Sequence, residues 1–178
     1  LGEPSDDITL EVAGKTVSFY DPGAASEEEP KPVAQGTLTT ASRQLLFFVP
    51  SGKPSPLYRV LVFPDDPQSF PMGSTRLLNL AKVPAIFRMG EHAIKVAPSR
   101  TVIAPMPRKV NKYNDFNLEI MLETEKGIYP VRQTRARAVK SKRDMAVVWI
   151  DPRTKRARVN LYTDIPPWTL PGNETPNP

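Results

Sequence analysis

The chain has 178 residues, 24 Lys and Arg against 19 Asp and Glu, 21 prolines, one histidine and no cysteine. That length supports one ordinary domain, or two very small ones, burying roughly 70% of the surface its unfolded chain exposes. The absent cysteines exclude disulfide frameworks, thiolate metal sites and cysteine nucleophiles, and a lone His92 excludes a three-histidine metal site or histidine relay within this chain.

Period two dominates the pattern from the start. "DITLEV" (7–12) and "KTVSFY" (15–20) flank Ala13-Gly14 and predict a hairpin. "DPGAASEEEPKP" (21–32) reads as a loop, with Glu27, Glu28 and Glu29 in sequence but no alternating ligand pattern for calcium. "QLLFFV" (44–49) and "LYRVLVF" (57–63) predict a second hairpin across "PSGKPSP". Three prolines and two aspartates in "FPDDPQSFPMG" (63–73) forbid a regular strand there, and an Asx-type turn is the structural expectation.

Alternation resumes at 74–80 and continues as a hairpin over 85–96, turning at Gly90-Glu91. "RTVIAP" (100–105) adds a short strand, and 106–115 reads as a polar loop. In "FNLEIMLE" (116–123) Phe116, Leu118, Ile120 and Leu122 share one face, and "TEKG" turns the chain back into 128–138. "MAVVWI" (145–150) is apolar on both faces and belongs in the middle of a sheet; "DPRTK" turns it into 156–162. No helical period persists beyond two turns. The expected fold is therefore all-β, an antiparallel β-sandwich, immunoglobulin-like or jelly-roll-like, of about 10–13 short strands. It would occupy 1–165, with a candidate break between two packed β subdomains near 64–73, and 166–178 would be a proline-rich extended tail. "LLFFVPSGKPSPLYRVLVFPDDP" and "AVVWIDPRTKRARVNLYTDIPP" echo each other as strand, turn, strand and acidic-proline exit, the mark of a candidate internal duplication.

The net charge of +5 is unevenly spread: residues 1–70 balance to −5 and residues 71–178 to +10. The segment 131–162 alone holds ten basic residues. Arg135 and Arg137 alternate with Ala136 and Ala138, and Arg156 and Arg158 with Ala157 and Val159. If both strands turn these residues to one surface, Arg135, Arg137, Arg156, Arg158 and Tyr162 form a basic stripe able to hold a polyanion. The alternative is a solvated sheet face with cross-strand pairs, Glu119 falling near Arg132 if Glu123 opposes Ile128.

The segment "GSTRLLNLAKVPAIFRMGEHAIKVAPSRTVIAPMP" (73–107) resembles bacterial cell-envelope immunoglobulin-like β-sandwich domains of unknown function. Asn79-Leu80 closing a strand, the turn at Gly90 and Pro98 carry the resemblance. It implies an exported binding or structural module and assigns no catalytic residue. The polar opening "LGEPSDD" without an initiator Met matches a mature end after leader removal, and periplasmic or extracellular placement is expected.

No phosphate loop, dinucleotide turn or nucleophile elbow occurs, so no cofactor is expected. Glu119 and Glu123 share a face but stand about 13 Å apart on a strand, too far for glycoside hydrolysis. His92 beside a turn reads as a polar surface residue. The expectation is a non-catalytic module of the bacterial cell envelope whose partner is an anionic envelope polymer, a glycan or another envelope protein. Nucleic acid is disfavoured because no aromatic residue interleaves with the basic run. The first alternative is an accessory carbohydrate-binding module stacking sugars on Trp149, Trp168, Tyr113 or Tyr162. The second is a hydrolase with a site around Asp65, Asp66, Gln68 and Phe70. No run approaches the roughly 18 apolar residues of a membrane-spanning helix.

Overall fold

The structure, a computed structural model, describes residues 8–9, 11–12, 14–23 and 30–165. Among these there is no α-helix, and 12 strands form three four-stranded sheets. The all-β fold follows from the alternation of apolar and polar residues. The chain divides into two compact units, Leu1–Ser69 and Phe70–Pro178.

The first unit holds β1 (Thr16–Phe19), β2 (Ala34–Thr37), β3 (Gln44–Pro50) and β4 (Tyr58–Pro64), in the order β1-β2-β4-β3. β3 and β4 make the expected hairpin, with Gln44 opposite Pro64 and Pro50 opposite Tyr58. The first predicted hairpin is replaced. Residues 8, 9, 11 and 12 belong to no strand, and β1 pairs with β2 instead. The sequence Ala-Gln-Gly-Thr of β2 carries no apolar alternation, so periodicity overlooked it. Its place depends on close approach: a Cβ at Gly36 would lie 2.7 Å from Val60 Cβ. Residues 24–29 of the acidic loop and the whole 166–178 tail lie outside the described residues.

The second unit holds β5 (Thr75–Asn79), β6 (Ala85–Met89), β7 (His92–Val96), β8 (Thr101–Ala104), β9 (Asp115–Thr124), β10 (Gly127–Arg137), β11 (Arg143–Ile150) and β12 (Ala157–Asp164). One sheet runs β10-β9-β6-β7 and the other β12-β11-β5-β8. Leu77, Ala146 and Val148 from the second sheet join Phe87, Leu118 and Ile120 from the first in one buried cluster, which makes the unit a β-sandwich. β11 lies inside its sheet, as its two apolar faces require. Its neighbour β5 runs parallel to it, and β2 is likewise parallel to β4; the other strand pairs are antiparallel. The candidate duplication does not extend to the pairing. In the first unit the second strand of the hairpin, β4, takes the parallel partner; in the second unit the first strand, β11, does.

The two sheets of the sandwich are bridged by one asparagine. Asn79 ends β5 with no exposed surface. Its Nδ2 donates at 2.9 Å to the carbonyls of both Val83, just before β6, and Val96, the last residue of β7. Its Oδ1 accepts from the Ala81 N–H at 2.9 Å. A buried amide is tolerated only when its donors and acceptor are matched, and here they are. At the other end of the same sheet, Phe70 lies between two guanidinium groups, Arg76 and Arg143, each 4.6 Å from its ring centroid. Arg143 is buried, pairs with Asp164 and donates to the Phe70 carbonyl.

Replacing Asn79 should be severe. Asn79→Leu removes the side-chain donors to the Val83 and Val96 carbonyls and the acceptor of the Ala81 N–H, and Asn79→Asp sets an acceptor against two carbonyls. At about 1–3 kcal/mol per buried group left unpaired, each variant should lose more than about 2 kcal/mol in denaturant unfolding. The exposed control Asn117→Asp should stay within about 0.5 kcal/mol. An Asn79 variant as stable as that control would contradict the assignment.

Candidate functional site

The basic residues singled out in the sequence fall on both sheets of the sandwich. Arg135 and Arg137 lie on β10, opposite Asn117 and Asp115. Arg137 Nε is 3.0 Å from Asp115 Oδ1. Between them Ala136 opposes buried Phe116, so both arginines point away from the core. Arg158 lies on β12 beside Trp149, with its Nε 3.8 Å from Asp151 Oδ2. Ala157 and Val159 pack on the core, so Arg158 also points outward, but from the other sheet. Arg156 is exposed in the connection before β12. Tyr162 is half-buried farther along β12, and burial pushes its phenol up from the ordinary value. β10 and β12 do meet at one edge, where Arg132 Nη1 reaches the Val159 carbonyl at 3.5 Å. β10 and β12 are the edge strands of different sheets, so the five residues are divided between two sheets that touch at this seam. Alternation says which side of a strand is wet, but not which sheet the strand joins.

Glu119 also differs from expectation. It stands opposite Gln133, not Arg132, because the register shifts between Pro130 and Arg132. Pro130 has no N–H to give a ladder, and a bulge on an edge strand accommodates it. Glu119 then accepts from Gln133 Nε2 at 3.3 Å and meets Arg88 Nη1 at 3.7 Å.

The other candidates are dispersed. Asp65 Oδ2 is 3.3 Å from Arg43 Nε, while Asp66 Oδ1 accepts the N–H groups of Gln68 and Ser69, the expected Asx turn. The Ser69 bond in particular holds the Asp66 carboxyl below its usual range. Phe70 is buried between arginines. Trp149 donates to Asn160 Oδ1 at 2.8 Å. Trp149 and Tyr162 oppose Arg158 and Met145, so they stand about four strand residues, or ~13 Å, apart. Tyr113 is 60% exposed on the 105–114 connection, with Lys112 Nζ 5.0 Å from its ring centroid. Trp168 lies outside the described residues.

A concave site forms at the end of the sandwich opposite Asn79. There the connection from β8 to β9 (105–114) meets the connection from β10 to β11 (138–142). Met106, Pro107, Arg108, Val110, Asn114, Ala138, Val139 and Lys140 line a cleft of about 490 Å³. Its floor is apolar. Arg108 and Lys140 are exposed, and neither side chain has a carboxylate partner among the described residues.

The two walls are tied to each other and braced by neighbouring segments. The Ala138 N–H donates to the Asn114 carbonyl at 2.8 Å, and Asn114 adopts a left-handed φ of 62° that asparagine tolerates. The Gly73 N–H donates to the Lys142 carbonyl at 2.8 Å behind the second wall. Gly90 turns β6 into β7 with a φ of 56° and presses on the first wall: a Cβ there would meet Pro107 Cβ at 2.9 Å. Next to it, the Glu91 carboxylate accepts the N–H groups of Arg108 at 2.8 Å and Lys109 at 2.9 Å. This fixes the backbone of Arg108 and leaves its guanidinium free to face a ligand. His92 Nε2 lies 3.4 Å from the same carboxylate.

Neither a family model nor a curated protein matches the chain.

The cleft must therefore be judged by its own chemistry. In the sequence its residues are divided between a polar loop and the end of a strand 30 positions away, and nothing in their spacing says that they converge. The nearest signals were Gly90 and the three basic residues Arg108, Lys109 and Lys112 of the loop.

The bond from the Arg108 N–H, then that from Lys109, holds the Glu91 carboxyl down at about 2 from an ordinary 4.5. A depressed carboxylate contributes stability that is fully present above pH 4.5 and is lost as pH falls toward 2. The amide shifts of Arg108 and Lys109 should accordingly titrate near pH 2; a midpoint near 4.5 would contradict the pin. Gly90→Ala should cost more than the roughly 1–2 kcal/mol of a left-handed residue, because the added methyl also strikes Pro107. Its strongest amide shift changes should fall in 106–110, and an unchanged melting temperature would contradict this contact.

Proposed function

We propose that this chain is a non-catalytic binding module of the bacterial cell envelope and that it engages its partner through the loop end of the Phe70–Pro178 unit. The observation that carries the reading is the cleft, where Arg108 and Lys140 flank an apolar floor without a carboxylate partner among the described residues. Loops mounted on a rigid sandwich are where such folds place recognition. The resemblance of 73–107 to cell-envelope β-sandwich domains supports an exported location. The partner chemistry is anionic, since the 71–178 segment balances to +10. No helix among the described residues is long and apolar enough to cross a membrane.

A second reading, an accessory carbohydrate-binding module, is favoured by one observation: Tyr113 offers an exposed ring on the loop that builds the cleft. Amide shift mapping separates the two. With heparin as a model polyanion, perturbations should centre on 106–114 and 138–140 and fade steeply between low and high salt. With a neutral chito-oligosaccharide they should be weak. A response to the neutral sugar that survives salt and Tyr113→Ala abolishes would favour the glycan reading. Silence at the loop end with both probes, or cleavage of either, would contradict the proposal.

A further inference from the structure

We infer that the cleft takes a small organic anion with an apolar body, a single carboxylate or phosphate head held by Arg108 and Lys140 and the body laid on Met106, Pro107, Val110 and Val139. The inference rests on the binding-module reading and goes beyond it by naming the group recognised. Three features support it. The cleft volume of about 490 Å³ lies in the range of roughly 300–1,000 Å³ that accommodates small molecules. A polymer backbone would track along an extended groove; a cleft of this size takes a side group or a chain end.

The lining has two chemistries. Pro107 is buried, while Met106, Val110, Ala138 and Val139 are only half-covered and present an apolar surface. Methionine adapts to irregular ligand shapes. A purely inorganic ion would leave that floor wet, and a neutral hydrocarbon would leave two cations with no counter-charge. An apolar anion satisfies both. Arginine can grip a carboxylate or phosphate through two parallel bonds, with lysine adding a point charge.

The site is also organised before any ligand arrives. Glu91 occupies the Arg108 and Lys109 N–H groups, so the loop backbone is already fixed and the anion is left to the side chains. Asn114 and Gly73 brace the two walls through Ala138 and Lys142. Walls held in place spare a ligand the ordering that mobile loops would require.

The test uses the full chain and four probes: octanoate, octyl phosphate, octanol and inorganic phosphate. Amide shifts at 106–114 and 138–140 should saturate with octanoate and octyl phosphate, at least tenfold more tightly than with octanol or inorganic phosphate. Comparing the first two tells a carboxylate-headed source from a phosphate-headed one. The double variant Arg108→Gln, Lys140→Gln should weaken octanoate at least tenfold with an unchanged melting temperature, and Val110→Asp should weaken it through the floor. Equal affinity for octanol and octanoate would overturn the role of the cations; equal affinity for phosphate and octyl phosphate would overturn that of the floor. If heparin still perturbs the loop end while no octyl probe does, the amphiphilic-anion inference fails and the binding module stands. If neither heparin nor an octyl probe acts there, both fail.

Discussion

The sandwich of the second unit depends on a single buried amide. Asn79 sits at the end of β5, where the chain must leave one sheet and enter the other, and its side chain ties that strand to Val83 and to Val96. Hydrophobic burial alone would bring two sheets together without fixing their stagger, since apolar contact has no direction. Three hydrogen bonds in a dry site have direction and a high penalty for being lost. They set where β6 begins and where β7 ends, and so which residues of the two sheets face each other across Phe87 and Leu77.

That fixed stagger reaches the opposite end of the molecule. β6 runs from the Asn79 end to the loop end, paired along its length with β7 and β9, and the Gly90-Glu91 turn arrives where Glu91 can hold the backbone of Arg108 and Lys109. The loop end is therefore a set of connections with little freedom of its own, and the cleft is a consequence of strand length and stagger. The electrostatic arrangement follows the same logic. On the sheet faces some arginines find carboxylate partners, as Arg137 does in Asp115 and Arg88 in Glu119. At the loop end Glu91, the carboxylate at hand, is committed to backbone N–H groups, and the charge of Arg108 and Lys140 is left for something else.

Much of the fold was legible because period two is a direct imprint of a half-buried strand. The clean alternation of β9, the apolar run of β11, and glycines at Gly90 and Gly127 placed strands and turns within a residue or two. Strand direction was not legible: β5 beside β11 carries the same pattern whether parallel or antiparallel. β2 was missed because its decisive residue, Gly36, acts by lacking a side chain. Glu119 was assigned the wrong neighbour because a bulge after Pro130 shifts the register by one. The basic residues were read correctly as outward-facing, yet their grouping needed to know which sheet each strand joins. Arg108 and Lys140 were visible as basic residues but not as neighbours, since two connections 30 residues apart converge only through the tertiary fold.

The Asn79 bridge can be observed directly by nuclear magnetic resonance. Scalar couplings across hydrogen bonds should link the Asn79 side-chain nitrogen to the carbonyl carbons of both Val83 and Val96. The side-chain amide protons should exchange with solvent only on global unfolding of the second unit. An Asn79 amide that shows no such coupling and exchanges as fast as an exposed asparagine would contradict the central claim.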